Sequence, residues 1–359
     1  MVPPADQRTE AGSTLTSPAA QGWRLPAEWE PHSATWLTWP RRDGISFPGL
    51  HDRIPPIFAT IVRTLSQHEA VCINVWDVDM EEEARNVLKE HDALQGPVHF
   101  HHHPAYEPWC RDHGPLFLTR GNELAVADWE YNAWGGKYPP FELDNQIPDR
   151  IARLRGAQHF PAGMVLEGGA IDSNGQGTLL TTESCLLNPN RNPSFDRAAI
   201  EARLRDFLGA ERIVWLTSGI AGDDTDGHVD NLARFVSSDT IVAVVEPDPA
   251  DENHQPLQDN LRLLNADNPP FRIIELPLPR PVFHEGERLP ASYANFYIAN
   301  NVVLMPAFSD PADSVAREIL QPLFRTREVV TLDSRDLAWG LGSFHCLTMQ
   351  EPDPAAHPH

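Results

Sequence analysis

The chain has little cysteine and few basic residues, and each shortage argues against a class of protein. Its four cysteines, Cys72, Cys110, Cys185 and Cys346, are scattered over 359 residues without a CxxC pair. Free thiols in a reducing cytoplasm are therefore predicted, rather than a disulfide framework. Only 28 Lys and Arg stand against 51 Asp and Glu, which gives a formal net charge of −23. Nucleic acids and anionic membranes bind basic patches, so this balance argues against both and suits a cationic small molecule.

Long apolar runs are also missing from the sequence. No stretch reaches the roughly 18 apolar residues of a membrane-spanning helix. Residues 1–22 have neither the basic nor the apolar region of a secretory signal peptide, which agrees with a cytoplasmic location. We predict that residues 1–22 are disordered, that residues 23–352 form a single domain, and that residues 353–359 are a flexible tail.

A repeated order of hairpin, helix and strand runs through the middle of the chain. Residues 165–187 fit two strands around the turn Asn174–Gly177, residues 194–208 fit a helix that begins at Ser194 and stops at Gly209, and residues 212–217 fit a strand. Similar sections begin near residues 114, 227 and 292, at intervals of about 50–65 residues, which is the period of a repeat architecture.

A fifth section is split between the two ends of the chain. Residues 34–40 fit a lone first strand, and residues 342–350 fit a lone last strand. If these two strands pair, five sections close into a ring that protects the sheet edges. The pattern therefore predicts an α/β fold, a five-bladed pseudo-symmetric α/β-propeller of hairpin–helix–strand repeats. The alternative is an ordinary open α/β sheet.

Chemically reactive residues recur at equivalent points of these repeats. Asp112 opens the first hairpin, Glu167 the second, and His228 with Asp230 the third, while Cys346 lies in the split fifth section. Positions 112, 167 and 228 are 55 and 61 residues apart, and the 118 residues from 228 to 346 make two repeats of 59. Because equivalent points of a ring face its axis, we expect these side chains to meet.

The combination of a thiol, an imidazole and several carboxylates indicates a particular chemistry. A thiol attacks as thiolate, and a histidine such as His228 can promote that form and carry protons. Several carboxylates beside a thiolate are explained if the substrate is a cation. A guanidinium offers a planar fork of N–H donors that two carboxylates bind, and its central carbon is then open to attack. The expected reaction is guanidine hydrolysis.

Five segments resemble the agmatine deiminase and bacterial peptidylarginine deiminase family. They are LPAEWEPHSATWLTWP, PWCRDHGPLFL, LEGGAIDSNGQGTLLTTESCLLNPNRNP, GDDTDGHVDN and GLGSFHCLTMQEP, and they run from Leu25 to Pro352. The resemblance implies a five-bladed propeller, in agreement with the repeats, and a catalytic domain that uses no metal or organic cofactor.

Two lead segments depart from the family pattern. Tyr-Glu-Pro-Trp replaces Asn-Asp-Ala-Trp before Cys110, and Gly-Leu-Gly-Ser-Phe-His precedes Cys346, both where the tail of the substrate would be selected.

The resemblance also implies a role for each reactive residue. Cys346 would attack the guanidinium carbon and form an amidino-thioether with loss of ammonia. His228 would protonate the leaving ammonia and then activate water, with Glu167 supporting His228 or the guanidinium. Asp112 and Asp230 would hold the guanidinium nitrogens. The predicted substrate contacts are Trp39, Trp109, Arg111, Gly168, Asp224 and Asp226; Trp109 would cover the flat cation through a cation–π contact.

Simpler interpretations are preferred for the remaining conspicuous residues. Cys72, Cys110 and Cys185 are predicted to be structural thiols. The run His101–His103 is not expected to bind zinc, because neighbouring side chains on a strand point to opposite faces. Asp223, Asp224 and Asp226 lack the spacing and closing Glu of a calcium loop, and we expect them at the cleft mouth near a distal amine of the substrate.

The predicted function is hydrolysis of agmatine to N-carbamoylputrescine and ammonia, within polyamine metabolism and putrescine biosynthesis. The first alternative is deimination of peptidylarginine or free arginine by the same site, and amidino transfer to an amine is a second. An inactive binding protein for guanidino compounds or polyamines is an alternative of another class. The expected partner is a small cationic guanidino substrate, with no nucleic acid and no membrane, and a homo-oligomer is left open.

Overall fold

The strands form five sheets of one common pattern in the computed structural model, which describes residues 17–267 and 269–356. In each sheet the first strand is antiparallel to the second, and the second is parallel to the third. Sheet 1 contains Met349–Pro352, His32–Thr38, Ala70–Val75 and the additional strand Val98–His102. Sheet 2 contains Leu116–Arg120, Glu123–Glu130 and Gln158–Val165, and sheet 3 contains Asp172–Ser173, Thr178–Thr182 and Arg212–Leu216. Sheet 4 contains Ala233–Ser237, Thr240–Val245 and Arg272–Pro277, and sheet 5 contains Tyr297–Ile298, Val302–Ala307 and Glu328–Asp333. A two-stranded ribbon, Phe283–His284 with Glu287–Arg288, lies between sheets 4 and 5 in the chain.

Helices connect the second and third strands of each sheet, and Val78–Glu90 connects the third and fourth strands of sheet 1. The longer ones are Ile54–Leu65, Val78–Glu90, Ile147–Arg155, Arg197–Leu208, His254–Ala266 and Ala312–Leu320. Short helices are Cys110–His113, Ala133–Gly136, Glu183–Leu186, Arg335–Trp339 and Phe344–Leu347, and 3-10 turns are Ala19–Gln21, Asp144–Gln146, Gly168–Ala170, Val229–Asn231, Gln321–Leu323 and Pro354–Ala356. The helix after sheet 3's hairpin is capped by Asp196, whose carboxylate accepts the Ala199 N–H at 2.8 Å, and not by Ser194 as predicted. It ends, as predicted, at Gly209, whose φ of +70° suits glycine.

The two ends of the chain meet in sheet 1. His32 pairs with Pro352 and Trp36 with Met349, which confirms the predicted pairing of the first and last strands. The prediction of a strand over residues 342–350 is wrong, because Phe344–Leu347 is a helical turn and the strand begins at Met349. The amide of His345 donates to the Asn295 side chain at 3.1 Å rather than to a neighbouring strand. A short apolar run does not distinguish these two conformations by periodicity.

Three buried apolar clusters join neighbouring sheets. One cluster links sheets 1, 2 and 3 through residues such as Trp36, Phe117 and Leu179. A second links sheets 3, 4 and 5, and a third links sheet 5 to sheet 1 through Leu304 and Leu37. Every sheet therefore shares apolar packing with the sheets next to it, including the last with the first.

The described parts of the termini hold local structure. Residues 17–22, within the segment predicted to be disordered, include the 3-10 turn Ala19–Gln21, and Trp23 donates its N–H to Pro18 at 3.0 Å. In the predicted tail, Asp353 donates its N–H to Pro31 at 2.7 Å. Residues 1–16 and 357–359 of these two predictions lie outside the described residues. Among the described residues, no helix combines the length and the apolar character needed to cross a membrane.

Candidate active site

The reactive residues precede the first strand of their sheets, on or beside a single helical turn. Asp112 lies in the turn Cys110–His113 before sheet 2, and Glu167 immediately precedes the turn Gly168–Ala170 before sheet 3. His228 precedes the turn Val229–Asn231, which contains Asp230, before sheet 4. Cys346 lies in the turn Phe344–Leu347 before the closing strand of sheet 1. The equivalence in the repeats therefore holds, although these residues were predicted to lie on the hairpins themselves.

Sheet 5 contributes Asn295, a residue that the sequence interpretation missed. Asn295 lies two residues before the strand Tyr297–Ile298, and its Nδ2 is 3.1 Å from the Cys346 sulfur. Its Oδ1 accepts the His345 N–H at 3.1 Å. The interval from His228 to Cys346 spans two repeats. A polar residue near the middle of that interval could therefore have been predicted to belong to the site. Asn295 is the polar residue of the buried run Tyr293–Ile298.

The Cys346 thiol lies at the wall of a cleft among acidic groups. Its sulfur is 3.6 Å from Asp230 Oδ2, and the residue is 6% exposed. Burial raises the pKa of the thiol well above its ordinary value, and the carboxylates of Asp230 and Asp112 raise it further. The neutral thiol is therefore the resting form near neutral pH.

Two carboxylates are held rigidly beside this thiol. Asp112 accepts the Trp134 indole N–H at 2.9 Å and the Gly169 N–H at 3.0 Å. Asp230 Oδ2 lies 2.8 Å from His345 Nδ1, while its Oδ1 is buried with no hydrogen-bond partner among the described residues. Burial raises the pKa of Asp112 to about 6. Burial acts in the same direction on Asp230, but the hydrogen bond and attraction of His345, together with His228 and Arg234, outweigh burial and lower the pKa of Asp230.

His228 lies between Asp112 and a further carboxylate, Glu167, and forms a hydrogen bond with neither. Its Nδ1 is 3.7 Å from Asp112 Oδ1, and its Nε2 is 3.9 Å from Glu167 Oε2. Both distances exceed hydrogen-bond length, and both ring nitrogens are buried without a hydrogen-bond partner among the described residues. Burial alone lowers the pKa of His228, but the attraction of Asp112, followed by Cys185 and Glu167, raises it well above its ordinary value. The imidazole is therefore protonated near neutral pH.

Arg191 determines the charge and orientation of Glu167. Its Nε donates to Glu167 Oε1 at 2.7 Å, and both side chains are fully buried. Burial opposes ionisation of Glu167, but Arg191 and then His228 outweigh it and hold the pKa at about 2. Glu167 Oε2 is thereby left without a hydrogen-bond partner, on the side of His228.

The close approach of the backbone to this cluster occurs at Gly169 rather than at the predicted Gly168. A Cβ on Gly169 would lie 2.6 Å from His228 Nδ1, 2.8 Å from Asp112 Oδ1 and 3.0 Å from Asp230 Oδ2. A Cβ on Gly168 would instead lie 2.2 Å from the Arg111 carbonyl oxygen. Gly168 therefore allows two backbone segments to pack, and Gly169 leaves room for the reactive groups.

A cleft that opens to solvent leads to Cys346. Its lining residues are Ile45, Ser46, Pro48, Glu107, Trp109, Asp112, Trp134, Tyr138, Asp224, Thr225, Trp339, Gly340, Leu341, Gly342 and Cys346. The wall is mainly apolar and aromatic, its charged groups are carboxylates, and these described lining residues include no Lys or Arg. Glu107 was not predicted, although it lies in the Tyr-Glu-Pro-Trp segment that departs from the family pattern.

The structure does not bring three of the predicted substrate contacts into the cleft. Arg111 extends toward Gln350 Oε1 at 2.8 Å and Glu28 Oε2 at 3.3 Å. Asp226 is paired with Arg191 and with Lys137, the latter at 3.0 Å. Trp39 packs edge-on against Phe58, with ring centroids 5.6 Å apart. These three side chains thus contact partners distant in sequence and not the cleft. Trp109 and Asp224, in contrast, line the cleft.

The cysteines and the histidine run, for which structural roles were predicted, lie in different surroundings. All four cysteines are free and buried, but Cys185 is close to the reactive cluster: its sulfur, a His228 ring nitrogen and a Glu167 oxygen lie within 4.8 Å of one another. These three form the one group of at least three potential metal ligands among the described residues. His101 and His103 stack with ring centroids 5.7 Å apart, and His102 bonds Glu81, so the histidine run is divided between two faces.

A buried network of charged side chains surrounds His345, the residue next to Cys346. Glu28 Oε2 lies 2.8 Å from His345 Nε2 and 2.9 Å from Arg234 Nη2. Arg234 also donates to Asp172 at 2.9 Å. Burial opposes ionisation of Glu28, yet Arg234 and His345 lower its pKa well below the ordinary value. The network connects the opening segment to sheets 3 and 4 and fixes His345, the neighbour of Cys346.

We expect Glu28→Gln to lower the free energy of unfolding by about 3–5 kcal/mol, because it leaves buried cations without their counter-charge. Urea titration at neutral pH measures the change. The matched control is Glu123→Gln, which removes an exposed carboxylate paired with Arg120 at 2.7 Å and is expected to cost less than about 1 kcal/mol. Equal effects of the two substitutions would contradict a supporting role for Glu28.

Comparison with known proteins identifies the family. The model of Porphyromonas-type peptidyl-arginine deiminase matches residues 24–352. An agmatine deiminase of Pseudomonas aeruginosa is 36% identical over 368 residues, covering 94% of this chain and 98% of that protein. The structure of an Enterococcus faecalis agmatine deiminase superposes with a TM-score of 0.87 at 29% identity, covering 95% of this chain and 99% of that one. A C. jejuni agmatine deiminase with substrate bound gives 0.83 at 29% identity, covering 92% and 96%. The chain therefore belongs to the Porphyromonas-type peptidyl-arginine deiminase family, as the sequence motifs predicted.

Proposed function

We propose that the protein hydrolyses agmatine to N-carbamoylputrescine and ammonia through a covalent intermediate on Cys346. The observation that carries this proposal is the convergence of the Cys346 thiol, the His228 imidazole and three carboxylates, in which Asp230 Oδ1, Glu167 Oε2 and both His228 nitrogens have no hydrogen-bond partner among the described residues. A buried polar atom without a hydrogen-bond partner costs folding free energy unless a ligand supplies the missing bond. A guanidinium, with five N–H donors in one plane, matches the carboxylate oxygens.

The first step is the binding of the guanidinium between Asp112 and Asp230. With a pKa of about 6, Asp112 is ionised at neutral pH, and Trp134 and Gly169 fix its orientation. Two rigid carboxylates on opposite nitrogens align the planar group, so its central carbon faces the sulfur of Cys346. The same geometry makes the site selective for a delocalised cation over a simple ammonium.

Binding of the substrate activates the nucleophile. The resting thiol is neutral because of burial and the nearby carboxylates. A guanidinium bound beside the thiol offsets that negative charge, so the pKa of the thiol falls and its proton is released to bulk solvent. The Asn295 amide N–H, 3.1 Å from the sulfur, stabilises the thiolate that forms. The bound substrate thus adds positive charge directly beside the sulfur of Cys346.

Covalent chemistry follows in two half-reactions. The thiolate forms a C–S bond to the guanidinium carbon, and a C–N bond breaks as protonated His228 donates its proton to the departing ammonia. Neutral His228 then accepts a proton from water, and the resulting hydroxide adds to the amidino carbon. The C–S bond breaks as the hydroxyl proton of this adduct passes to the departing sulfur, which releases the neutral ureido product and the Cys346 thiol. Glu167, ionised through Arg191, favours the protonated state of His228.

Agmatine is favoured over arginine by the character of the cleft. Asp224 presents a carboxylate along its wall, Glu107 adds a carboxyl group whose pKa burial raises to about 7, and the described lining residues contain no cation for an α-carboxylate. The nearby Lys137 is bound to the Asp224 carbonyl oxygen and to Asp226 at 3.0 Å. A terminal amine is therefore attracted to the cleft and a carboxylate is repelled.

We also propose that the five sheets are the blades of a propeller that forms one domain around this site. Three observations support it: the five sheets share one strand pattern, the last strand pairs into sheet 1, and the apolar clusters link each sheet to the next, including sheet 5 to sheet 1. The cytoplasmic location stays a prediction from the scarcity of cysteine and its scattered positions.

The substrate proposal is tested by measuring kcat/KM for ammonia release from agmatine, n-butylguanidine, arginine and a peptide ending in arginine. We expect agmatine to exceed arginine by at least about 100-fold, because an unpaired carboxylate is costly in an acidic cleft. Butylguanidine, which lacks only the amine, serves as the matched control and is expected to fall between them. A preference for arginine or the peptide would replace the substrate assignment, and no turnover of any of the four would contradict the deiminase proposal.

A further inference from the structure

Cys185 is a buried thiol beside the reactive cluster that the proposed reaction does not use. It lies in the helical turn Glu183–Leu186, whose first residues are fixed by a hydrogen bond from the Cys185 N–H to Thr182 Oγ1 at 3.3 Å. Its sulfur, a ring nitrogen of His228 and a carboxylate oxygen of Glu167 lie within 4.8 Å of one another. The exposure of all three residues is 1% or less.

Two of these three residues direct unsatisfied atoms toward the group. Both ring nitrogens of His228 and Glu167 Oε2 are buried without a hydrogen-bond partner among the described residues. The Arg191 guanidinium holds the other oxygen of Glu167 at 2.7 Å, which leaves Oε2 facing His228 Nε2 at 3.9 Å. Such a fixed carboxylate is typical of a ligand that is oriented by its surroundings.

The donor set matches one class of cation. A thiolate, an imidazole and a carboxylate together suit Zn²⁺, which binds these groups tetrahedrally at about 2.0–2.3 Å. Those bond lengths place the donor atoms about 3.5 Å apart, close to the 3.9 Å between Nε2 and Oε2. We propose that Cys185, His228 and Glu167 form an inhibitory binding site for Zn²⁺.

Occupation of this site stops the reaction for two reasons. A His228 nitrogen that binds Zn²⁺ can no longer carry a proton, and a dication within the reactive cluster repels the guanidinium that Asp112 and Asp230 bind in the proposed reaction. Zn²⁺ and the cationic substrate therefore exclude each other. The inhibition rests on the proposed function, whereas the binding of the metal does not, so the two can be tested separately.

Binding is tested with Co²⁺, which takes zinc sites and shows a charge-transfer absorption when a thiolate binds it. Metal-free protein is titrated with Co²⁺ and the band is then displaced by Zn²⁺. We expect the band in the wild type and in Cys346→Ser, and its loss in Cys185→Ser. Cys72→Ser is the matched control, because Cys72 is a buried thiol in sheet 1 next to Arg155, and it is expected to keep the band.

A second variant keeps the test decisive if Cys185→Ser does not fold. Cys72→Ser, Cys110→Ala and Cys346→Ser together leave Cys185 as the only thiol of the chain, and this protein is expected to keep the cobalt band. A band that is lost with Cys346 and kept without Cys185 would overturn the proposal by moving the metal to the other thiol. Absence of a thiolate band in the wild type would overturn it entirely.

Inhibition is measured separately as the effect of Zn²⁺ on the KM for agmatine. We expect the apparent KM to rise in proportion to free Zn²⁺, with kcat unchanged at saturating agmatine and full recovery after chelation. Zn²⁺ that lowers kcat alone would overturn mutual exclusion of metal and substrate. An enzyme that turns over no guanidine would contradict the proposed function while leaving the cobalt result to decide the site.

Discussion

Cys346→Ala is expected to lower kcat for agmatine by at least about 10⁴-fold, because a nucleophile removed from a covalent mechanism leaves only binding and orientation. The substitution leaves Asp112, Asp230 and His228 in place and removes a side chain that is 6% exposed. Binding of agmatine to the inactive variant, measured by calorimetry, is expected to stay within about tenfold of the wild-type KM, since the carboxylates hold the guanidinium. Activity and binding are therefore separated by one substitution.

The control for this prediction is Cys72→Ala, which removes another buried thiol and is expected to leave kcat within about twofold. Acid-quenched wild-type enzyme, analysed by intact mass during turnover, is expected to carry the added mass of agmatine less ammonia, and Cys346→Ala is expected to carry none. Residual activity of Cys346→Ala within about 100-fold of the wild type would show that Cys346 is not the nucleophile.

His228→Gln is expected to lower kcat by about 10²–10⁴-fold, the usual contribution of a positioned acid and base. Glutamine fills a similar volume but neither donates a proton to ammonia nor accepts one from water. The second half-reaction depends on the base, so the amidino adduct is expected to persist longer after a rapid quench than it does in the wild type. Stopped-flow release of ammonia together with intact mass measures both steps.

The matched control for His228→Gln is His159→Gln, which removes a histidine that is paired with Asp128 at 2.7 Å on sheet 2. That variant is expected to keep wild-type kcat. Loss of less than about tenfold in His228→Gln would assign the proton transfers to another group. Unchanged thermal stability of the variant excludes unfolding as the cause of a large loss.

The repeated sections predicted much of the site because repeats place equivalent residues at equivalent points. Asp112, Glu167, His228 with Asp230, and Cys346 recur at similar intervals, and the structure brings all five together. The same reasoning extended by one repeat would have found Asn295. It was missed because an asparagine carries no chemical signature until its 3.1 Å contact with the sulfur is known.

Other parts of the site could not be predicted because they depend on which charges meet. Arg191, Glu28 and Cys185 gave no signal of their own, and Arg111 and Asp226 were placed at the substrate although each is used in a buried ion pair. A charged residue beside a motif is equally consistent with ligand binding and with pairing to a distant residue. Only the partner, often more than 30 residues away, distinguishes the two.

The sequence by itself determined the order of hairpins, helices and strands, the pairing of the two chain ends and the identity of the reactive set, because these follow from hydrophobic periodicity, turn residues and repeat length. The tertiary structure alone decided which side chains are charged and which are free to bind. The neutral thiol of Cys346, the protonated His228 and the ionised Glu167 arise from burial and from contacts between different sheets. Desolvation and Coulomb interactions depend on distance in space, which the order of residues along the chain does not contain.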